Sequence, residues 1–490
     1  MALKNIYNLC DAYKFSHPIQ YPEGTTKVYS NWTIRGTYIP NLDYYIFYGL
    51  QYFIKEYLID RWNTEFFNLP KEEVISKLKR RLINFFGKAD VFHYEKLHEL
   101  GYLPIEIKAL PEGSKVSLRV PCVSIVNTLP EFYWVTNMLE TIFSNTIWGA
   151  INSATISSLY TEIKDKYLKL TCDDYSLKDF LQHDFSYRGM FSNEAGIISG
   201  SAFLLFSNGT DTVPAVDFLE NYYNADSDKE FIGGSVPASE HSVVCAGGDD
   251  NEEDTFLRLI TKVYPDGIFS YVSDTWDYFN LINNIARKYK EVILKRNGTI
   301  VFRPDSSPKT PLEIICGDKS LEDKSSLEYK GSLEILWDIF GGNINSKGYK
   351  VINPKVKIIY GESISIPLYE KICETMKQMG FALSNLIVGI GSYSFQYNTR
   401  DTLKQACKAT YVEINNVPKE IFKNPKTDKS GKQSAKGLLK VIKIGDKYEL
   451  LDKVNKEDEM QSELKTVFKD GILIKETSLN EIRQLCRKNI

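Results

Sequence analysis

The sequence is poor in the groups on which metal-knuckle, redox and nucleic-acid proteins rely. Only five of its 490 residues are histidine, and its eight cysteines are scattered with no two at CxxC spacing. That excludes a zinc knuckle or a dithiol pair, and points to reduced, structural thiols in a cytosolic protein. An excess of either charge is also missing: 60 Lys and Arg stand against 63 Asp and Glu, a formal net charge of −3. A general nucleic-acid binder would carry a basic face. No apolar run reaches membrane-spanning length, no signal peptide is seen at the start, and there is no short-period repeat or low-complexity tract. The expectation is a cytoplasmic protein that engages neither membrane nor nucleic acid. A small anionic substrate held by a few well-placed cations stays compatible with this composition.

What is present suffices for a large core. Hydrophobic content of 43% and charge of 25% are ordinary globular values. The length exceeds a usual single core, so two domains, or one large barrel with an appendage, are expected. From about residue 205 onward, short β-rich runs break off on polar residues or glycine. They include Phe269–Asp274, Thr299–Asp305 with Ser306, Val356–Glu362, Leu386–Gly391 and Thr410–Asn415. Amphipathic stretches of helical length separate most of them, which favours parallel strands. In such folds the site gathers at the carboxyl ends of the strands, so the residues at these stops are candidates for one convergent site.

Elsewhere, Tyr48–Ile59 reads as a buried helix, Leu103–Leu110 as a strand running into a turn, and Glu131–Trp148 as a helix continued by 151–170. Residues 423–437 form a polar, lysine-rich loop, by composition a solvated face. After it, Leu438–Ile444 and Tyr448–Leu451 read as antiparallel strands and Leu479–Cys486 as a terminal helix. The expected class is α/β: an irregular parallel β/α barrel with a second, discontinuous α+β domain. The barrel is expected over 151–410, and the second domain over 1–150 completed by 411–490.

The densest cluster of chemistry is His183-Asp-Phe-Ser-Tyr-Arg-Gly189. Asp184 or Ser186 is a candidate helix cap, and Arg188 a candidate anion clamp. Taken alone, such a cluster is more often structural than catalytic. Asn208-Gly-Thr-Asp211-Thr212 ends the next apolar run, and Gly233–Ser242 sets Glu240 beside His241 in a Gly/Pro/Ser loop. A histidine placed so is a better catalytic candidate than one on an apolar face.

These motifs, with Val272-Ser-Asp274 and Arg303-Pro-Asp305-Ser306, together resemble the nicotinamide phosphoribosyltransferase family. The likeness extends to Asp11–His17, Tyr29–Arg35, Phe47–Tyr52, Ile107–Gly113 and Thr399-Arg400-Asp401, in order from residue 11 to about 437. Each motif alone is weakly specific, and the ordered set is strong. The resemblance implies a homodimer with shared sites that makes nicotinamide mononucleotide and pyrophosphate from nicotinamide and phosphoribosyl pyrophosphate, with magnesium. Phe185 and the partner subunit's Tyr13 would sandwich the ring, Asp211 would accept from the carboxamide, and Arg303 would lie beside the ring. Asp305 and Glu362, with Gly361, would hold the ribose, and Asp274 with Asp305 the magnesium. Arg188 and His241, with Arg35 and Lys423 across the interface, would face pyrophosphate. Gly391, Ser392, Arg400 and Lys408 match the 5′-phosphate site. His241 also matches the histidine that the family phosphorylates when ATP hydrolysis is coupled, with ATP non-obligatory.

The chain departs from the pattern at the phosphate end. Gly389-Ile-Gly-Ser392-Tyr393 stands for Gly-Ser-Gly-Gly-Gly, which requires Tyr393 to turn outward, and Ala406 stands for a serine. Glu362 replaces an aspartate and Ser363 a glycine, while Ser186 replaces a glycine inside the ring-binding segment. Rival readings are nicotinate phosphoribosyl transfer, a catalytically silent nucleotide-sensing dimer, and a glycosidase on a similar barrel. Asp211 argues against the first, since a carboxylate repels the carboxylate of nicotinate.

Overall fold

The computed structural model describes residues 5–305, 310–423 and 435–488. The chain packs into two compact units: 1–155 with 218–225 and 398–489, and 156–217 with 226–397. Ser306 and residues 424–434 of the lysine-rich loop lie outside the described residues.

In the first unit a seven-stranded sheet is antiparallel throughout. Its order is Val417–Glu420, Gln405–Ile414, Thr25–Ile34, Pro121–Asn127, Ile105–Ala109, Lys465–Lys469 and Ile472–Leu473. The run Thr410–Asn415 therefore does not continue the parallel series as expected. It belongs to a ten-residue strand whose partner, Thr25–Ile34, comes from the start of the chain. The expected hairpin near the end is present, as Leu438–Ile444 paired with Lys447–Val454, and so is the terminal helix Leu479–Lys488. The Tyr48–Ile59 segment is helical from Leu50, passing into a wider π-helical stretch over Phe53–Arg61.

The start of that helix is held by a buried carboxylate. Glu112 Oε2 accepts the Gly49 N–H at 2.6 Å and the Tyr223 hydroxyl at 3.0 Å, while Oε1 accepts the Gln51 N–H at 2.6 Å. These donors satisfy backbone N–H groups that a helix start leaves without partners.

The second unit carries six parallel strands: β1 Gln182–Asp184, β2 Gly209–Thr210, β3 Asp266–Val272, β4 Asn297–Arg303, β5 Val356–Tyr360 and β6 Leu386–Ile390. Their order is β2-β1-β6-β5-β4-β3, and every pair is parallel. The two edges are joined by an extended segment. Gly234 pairs with Gly209 of β2, and Ala238 pairs with Ser270 of β3, so the curled sheet meets itself. Two hydrogen bonds secure each junction, at 2.9–3.0 Å on the β2 side and 2.9 Å on the β3 side.

Helices connect successive strands, and polar residues start several of them. Ser192 accepts from Ala195 N–H, Ser365 from Leu368 N–H, and Thr310 forms a reciprocal capping box with Glu313. Each cap is worth about 1 kcal/mol. Over most of their length the strand residues then alternate between two environments. Phe269, Ile300, Phe302, Val356, Ile358, Leu386 and Val388 are buried in the hydrophobic core beneath the helices. Their neighbours Ile268, Ser270, Thr299, Val301, Arg303, Lys357, Ile359 and Ile387 line a cavity of about 1720 Å3.

Glu112 gives a pH test of the first unit. Burial pushes its carboxyl from 4.5 up to about 7, against the opposing pull of its donors. Between those values the folded chain binds more protons than the unfolded one, so this group's contribution is complete at low pH and is lost as pH rises through about 7. The stability difference between wild type and Glu112→Gln, measured by urea unfolding, is expected to fall between pH 5 and pH 7.5 by on the order of 2–3 kcal/mol. A pH-independent difference would show that Glu112 stays ionised throughout.

Candidate active site

The cavity of the second unit is built on a row of residues with almost no side chain. In register, Gly389 of β6 pairs with His183 of β1, and His183 pairs with Gly209 of β2. The Phe185 ring rests over Gly389 and Gly361: a Cβ on Gly389 would come within 2.2 Å of the ring, and one on Gly361 within 2.8 Å. A Cβ on Gly209 would meet His183 Nδ1 at 2.8 Å. These glycines are required by close approach of the aromatic rings. The His183 and Phe185 rings in turn lie 4.7 Å apart, tilted by 43°.

Asp211 follows β2, with its Oδ1 3.3 Å from His183 Nε2. Burial pushes the Asp211 carboxyl up. The nearby side chains of His183 and Ser235 and the charge of Arg303 outweigh that, so it lies below the usual range. An acceptor-only carboxylate thus stands beside an aromatic face at the mouth of the barrel.

At the neighbouring strand ends a second group assembles. Arg303, at the end of β4, donates through Nη2 to the Ser239 carbonyl at 2.9 Å and pairs through Nη1 with Asp305 Oδ1 at 3.0 Å. His241 Nε2 lies 3.5 Å from Asp305 Oδ2 and 3.9 Å from Asp274 Oδ1, and its Nδ1 lies 3.1 Å from Thr275 Oγ1. Glu240, adjacent to His241 in sequence, is not its carboxylate partner; it accepts instead from the Ser242 hydroxyl. Arg188, Gly361 and Glu362 line the same cavity, with Arg188 and Glu362 exposed. The donor set around His241 has no ready-made metal cage: among the described residues no group of three or more His, Cys, Asp or Glu is placed to hold an ion. Two hard carboxylates, Asp274 and Asp305, do suit magnesium, which typically takes one or two carboxylates together with substrate phosphates.

The loop Gly389–Tyr393 shows how its unusual residues are accommodated. Tyr393 is 56% exposed, as its position requires, and its ring lies 4.4 Å from that of Tyr397. Ser392 occupies space over Gly189, where a Cβ would come within 2.0 Å of its hydroxyl oxygen. A Cβ on Gly391 would meet nothing closer than 3.9 Å, so the protein itself places no demand on that glycine.

Five sequence candidates lie in the first unit. Tyr13 is 56% exposed on the turn Ala12–Ile19, its ring 5.2 Å from that of His17. Lys408 is half-buried. Burial lowers its pKa, Glu140 opposes this, and Arg35 and Arg400 add to the lowering. Arg35 donates from Nε to the Lys404 carbonyl at 3.4 Å, Arg400 is exposed, and Lys423 is exposed after the strand Val417–Glu420. Sequence reasoning missed Thr275 and the holding role of Ser239. The first was signalled only by its place directly after Asp274, and the second not at all, because the contact uses a backbone carbonyl.

No helix among the described residues is long and apolar enough to cross a membrane. Two family models match the chain, the nicotinate phosphoribosyltransferase family over residues 180–472 and the nicotinamide phosphoribosyltransferase N-terminal domain over residues 5–107. Nicotinamide phosphoribosyltransferase of Acinetobacter baylyi is 45% identical, over 98% of this chain and 96% of that protein. The enzyme of the same name from Mycoplasma genitalium is 33% identical, over 90% of this chain and 97% of that protein. Among solved structures, nicotinate-nucleotide pyrophosphorylase from Pyrococcus furiosus shares the fold. It has a TM-score of 0.58 at 13% identity, with 100% of this chain and 97% of that one covered. With a relative of such identity matching nearly end to end, and a barrel mouth that gathers the motif residues, this chain belongs to the nicotinamide phosphoribosyltransferase family.

Proposed function

We propose that the protein transfers the phosphoribosyl group of phosphoribosyl pyrophosphate to nicotinamide in NAD biosynthesis. The bond from C1′ to the pyrophosphate oxygen breaks, a bond from C1′ to the pyridine nitrogen forms, and pyrophosphate leaves. The observation that carries the reading is the ionised Asp211 carboxylate, 3.3 Å from the His183 ring that lies against Phe185, in one cavity. An aromatic face orients a flat ring at small entropy cost, worth about 0.5–1.5 kcal/mol beyond burial, which is too little to select between rings. Selection falls to Asp211, which accepts from a carboxamide NH2 and repels a carboxylate.

The remaining roles follow the chemistry of the groups. The transition state is cationic at the ribose and anionic at the leaving group, so its demands are charge stabilisation and orientation. We assign Arg303 to the ring side, Asp305, Glu362 and Gly361 to the ribose, and Arg188 and His241 to the pyrophosphate. Asp274 and Asp305 are the residues that would hold magnesium, which neutralises charge on the departing pyrophosphate when bound. We assign the 5′-phosphate to Gly391, Ser392, Arg400 and Lys408. The open space over Gly391 supports this, because it leaves backbone N–H groups approachable. In the proposed homodimer, Tyr13, Arg35 and Lys423 act on the partner's site. ATP serves as a non-obligatory coupled substrate: its γ-phosphoryl passes to His241 Nε2 and ADP leaves, with Thr275 on the other ring nitrogen.

The deciding assay gives purified protein, magnesium and phosphoribosyl pyrophosphate either nicotinamide or nicotinate. The expected kcat/KM ratio favours nicotinamide by roughly a hundredfold or more, since like-charge juxtaposition costs several kcal/mol. Asp211→Asn is expected to collapse that ratio. Equal or better use of nicotinate by the wild type would overturn the ring-recognition argument.

Shared sites have their own test. A subunit carrying Tyr13→Ala mixed with one carrying Arg188→Ala is expected to regain activity, up to about a quarter of the wild-type level in randomly assembled dimers, one intact site in half of them. Inactive, correctly assembled mixed dimers would show that Tyr13 and Arg188 serve the same subunit's site.

A further inference from the structure

Asp184 is a fully buried carboxylate, 0% exposed, at the end of β1. Its Oδ1 accepts the Ser186 N–H at 2.9 Å. Its Oδ2 accepts the hydroxyls of Thr212 at 2.5 Å and Thr210 at 3.3 Å. Its backbone carbonyl accepts the Asp211 N–H at 3.1 Å. All these donors are neutral, and Gly200 packs so closely that a Cβ there would approach Oδ2 to 3.1 Å.

The sequence spacing of these partners is informative. Phe185 lies between Asp184 and Ser186, and Asp211 lies between Thr210 and Thr212. One carboxylate therefore holds residues on both sides of the ring-stacking residue and on both sides of the ring-selecting one. The strand ladder cannot do this, because β2 spans only two residues and its pairing with β1 stops at Asp184 and Thr210. Beyond that point one backbone hydrogen bond, from the Asp211 N–H, and the side chain of Asp184 carry the cross-strand connection. Burying a carboxylate is costly unless each oxygen is hydrogen-bonded, and an apolar residue would avoid the cost altogether.

We propose that Asp184 is a positioning residue for ring recognition: it sets the spacing between the Phe185 face and the Asp211 carboxylate. This rests on the nicotinamide reading above. It acts through hydrogen-bond geometry rather than charge, which separates the two conservative arms of the test. In Asp184→Asn the amide oxygen still accepts from Ser186, and the NH2 group faces hydroxyls that can rotate to accept.

The experiment is steady-state kinetics with nicotinamide and phosphoribosyl pyrophosphate, run beside thermal unfolding. Asp184→Ala is expected to raise KM for nicotinamide about tenfold or more, and to leave KM for phosphoribosyl pyrophosphate within about threefold. Asp184→Asn should restore nicotinamide KM to within about threefold of wild type. If Asp184→Ala does not fold, Thr212→Val decides, with an expected rise of about threefold in nicotinamide KM alone.

A double-mutant cycle fixes the route. In an Asp211→Ala background, Asp184→Ala should cost less than about twofold further in kcat/KM for nicotinamide. Equal losses in both backgrounds, equal effects on both substrates, an Asn variant as impaired as Ala, or an unchanged Thr212→Val would each overturn the proposal. If Asp211→Ala alone leaves nicotinamide kcat/KM intact, the ring-recognition reading fails and the proposal fails with it. A strong Asp211→Ala effect with no coupling to Asp184 sinks only the proposal.

Discussion

The contact between the Phe185 ring and the bare backbones of Gly361 and Gly389 is the constraint on which the rest of the site depends. Two adjacent strands carry glycine, Gly361 just after β5 and Gly389 within β6, where an interior-facing side chain would otherwise fill the barrel. Most small barrels pack that space with side chains. Here the space is left to one aromatic ring, which tilts against His183, and His183 reaches Asp211. Methyl groups at those glycines would collide with the ring rather than crowd it, so the cavity, the stacking face and the placement of Asp211 stand or fall together. The chain is extended at these positions, with no positive φ at either glycine, so the requirement is space and not backbone freedom.

Strand parity explains why so much of the site was legible. On β4 the interior residues are Thr299, Val301 and Arg303, and on β5 they are Lys357 and Ile359, leading to Gly361. Counting by two from any one of them predicts the others. That arithmetic holds wherever a run is long enough to show alternation, as in β3, β4, β5 and β6. It fails for β1 and β2, of three and two residues, where composition carries no period and only the end of the apolar run at Asn208–Thr212 was signalled. It also fails for Thr410–Asn415, because a β-rich run does not reveal whether its partner lies in the same sheet.

Contacts that depend on three-dimensional convergence were less accessible. Glu240 stands beside His241 in sequence, yet it occupies the N-cap position of the short helix His241–Cys245 and accepts from the Ser242 hydroxyl. The carboxylates that face His241 come from 33 and 64 residues further on, and are those of Asp274 and Asp305. Asp184 was legible only as a possible cap. Its two-sided grip needs Thr210 and Thr212 to arrive from another strand. Of the candidate site residues, Phe185, Arg188, Asp211, His241, Arg303, Asp305, Gly361 and Glu362 share one cavity, while Tyr13, Arg35, Arg400, Lys408 and Lys423 are carried by the other unit, where a sequence has no means of stating which site they serve.

The departures from the family pattern read differently once their surroundings are known. Tyr393 turns to solvent and leans on Tyr397, so it intrudes on nothing. Ser392 fits because position 189 is glycine. Ser186 is wholly buried, and its hydroxyl has no hydrogen-bond partner among the described residues, a cost of about 1–3 kcal/mol by ordinary desolvation. Ser363 adopts φ of 56°, a left-handed conformation that costs a non-glycine residue roughly 1–2 kcal/mol. Two substitutions are thus sterically absorbed, and two carry a cost in the two loops that border the Phe185 ring. Ser186 directly follows Phe185 and Ser363 directly follows Glu362, so one cost falls beside the aromatic ring and the other beside the carboxylate at the end of β5.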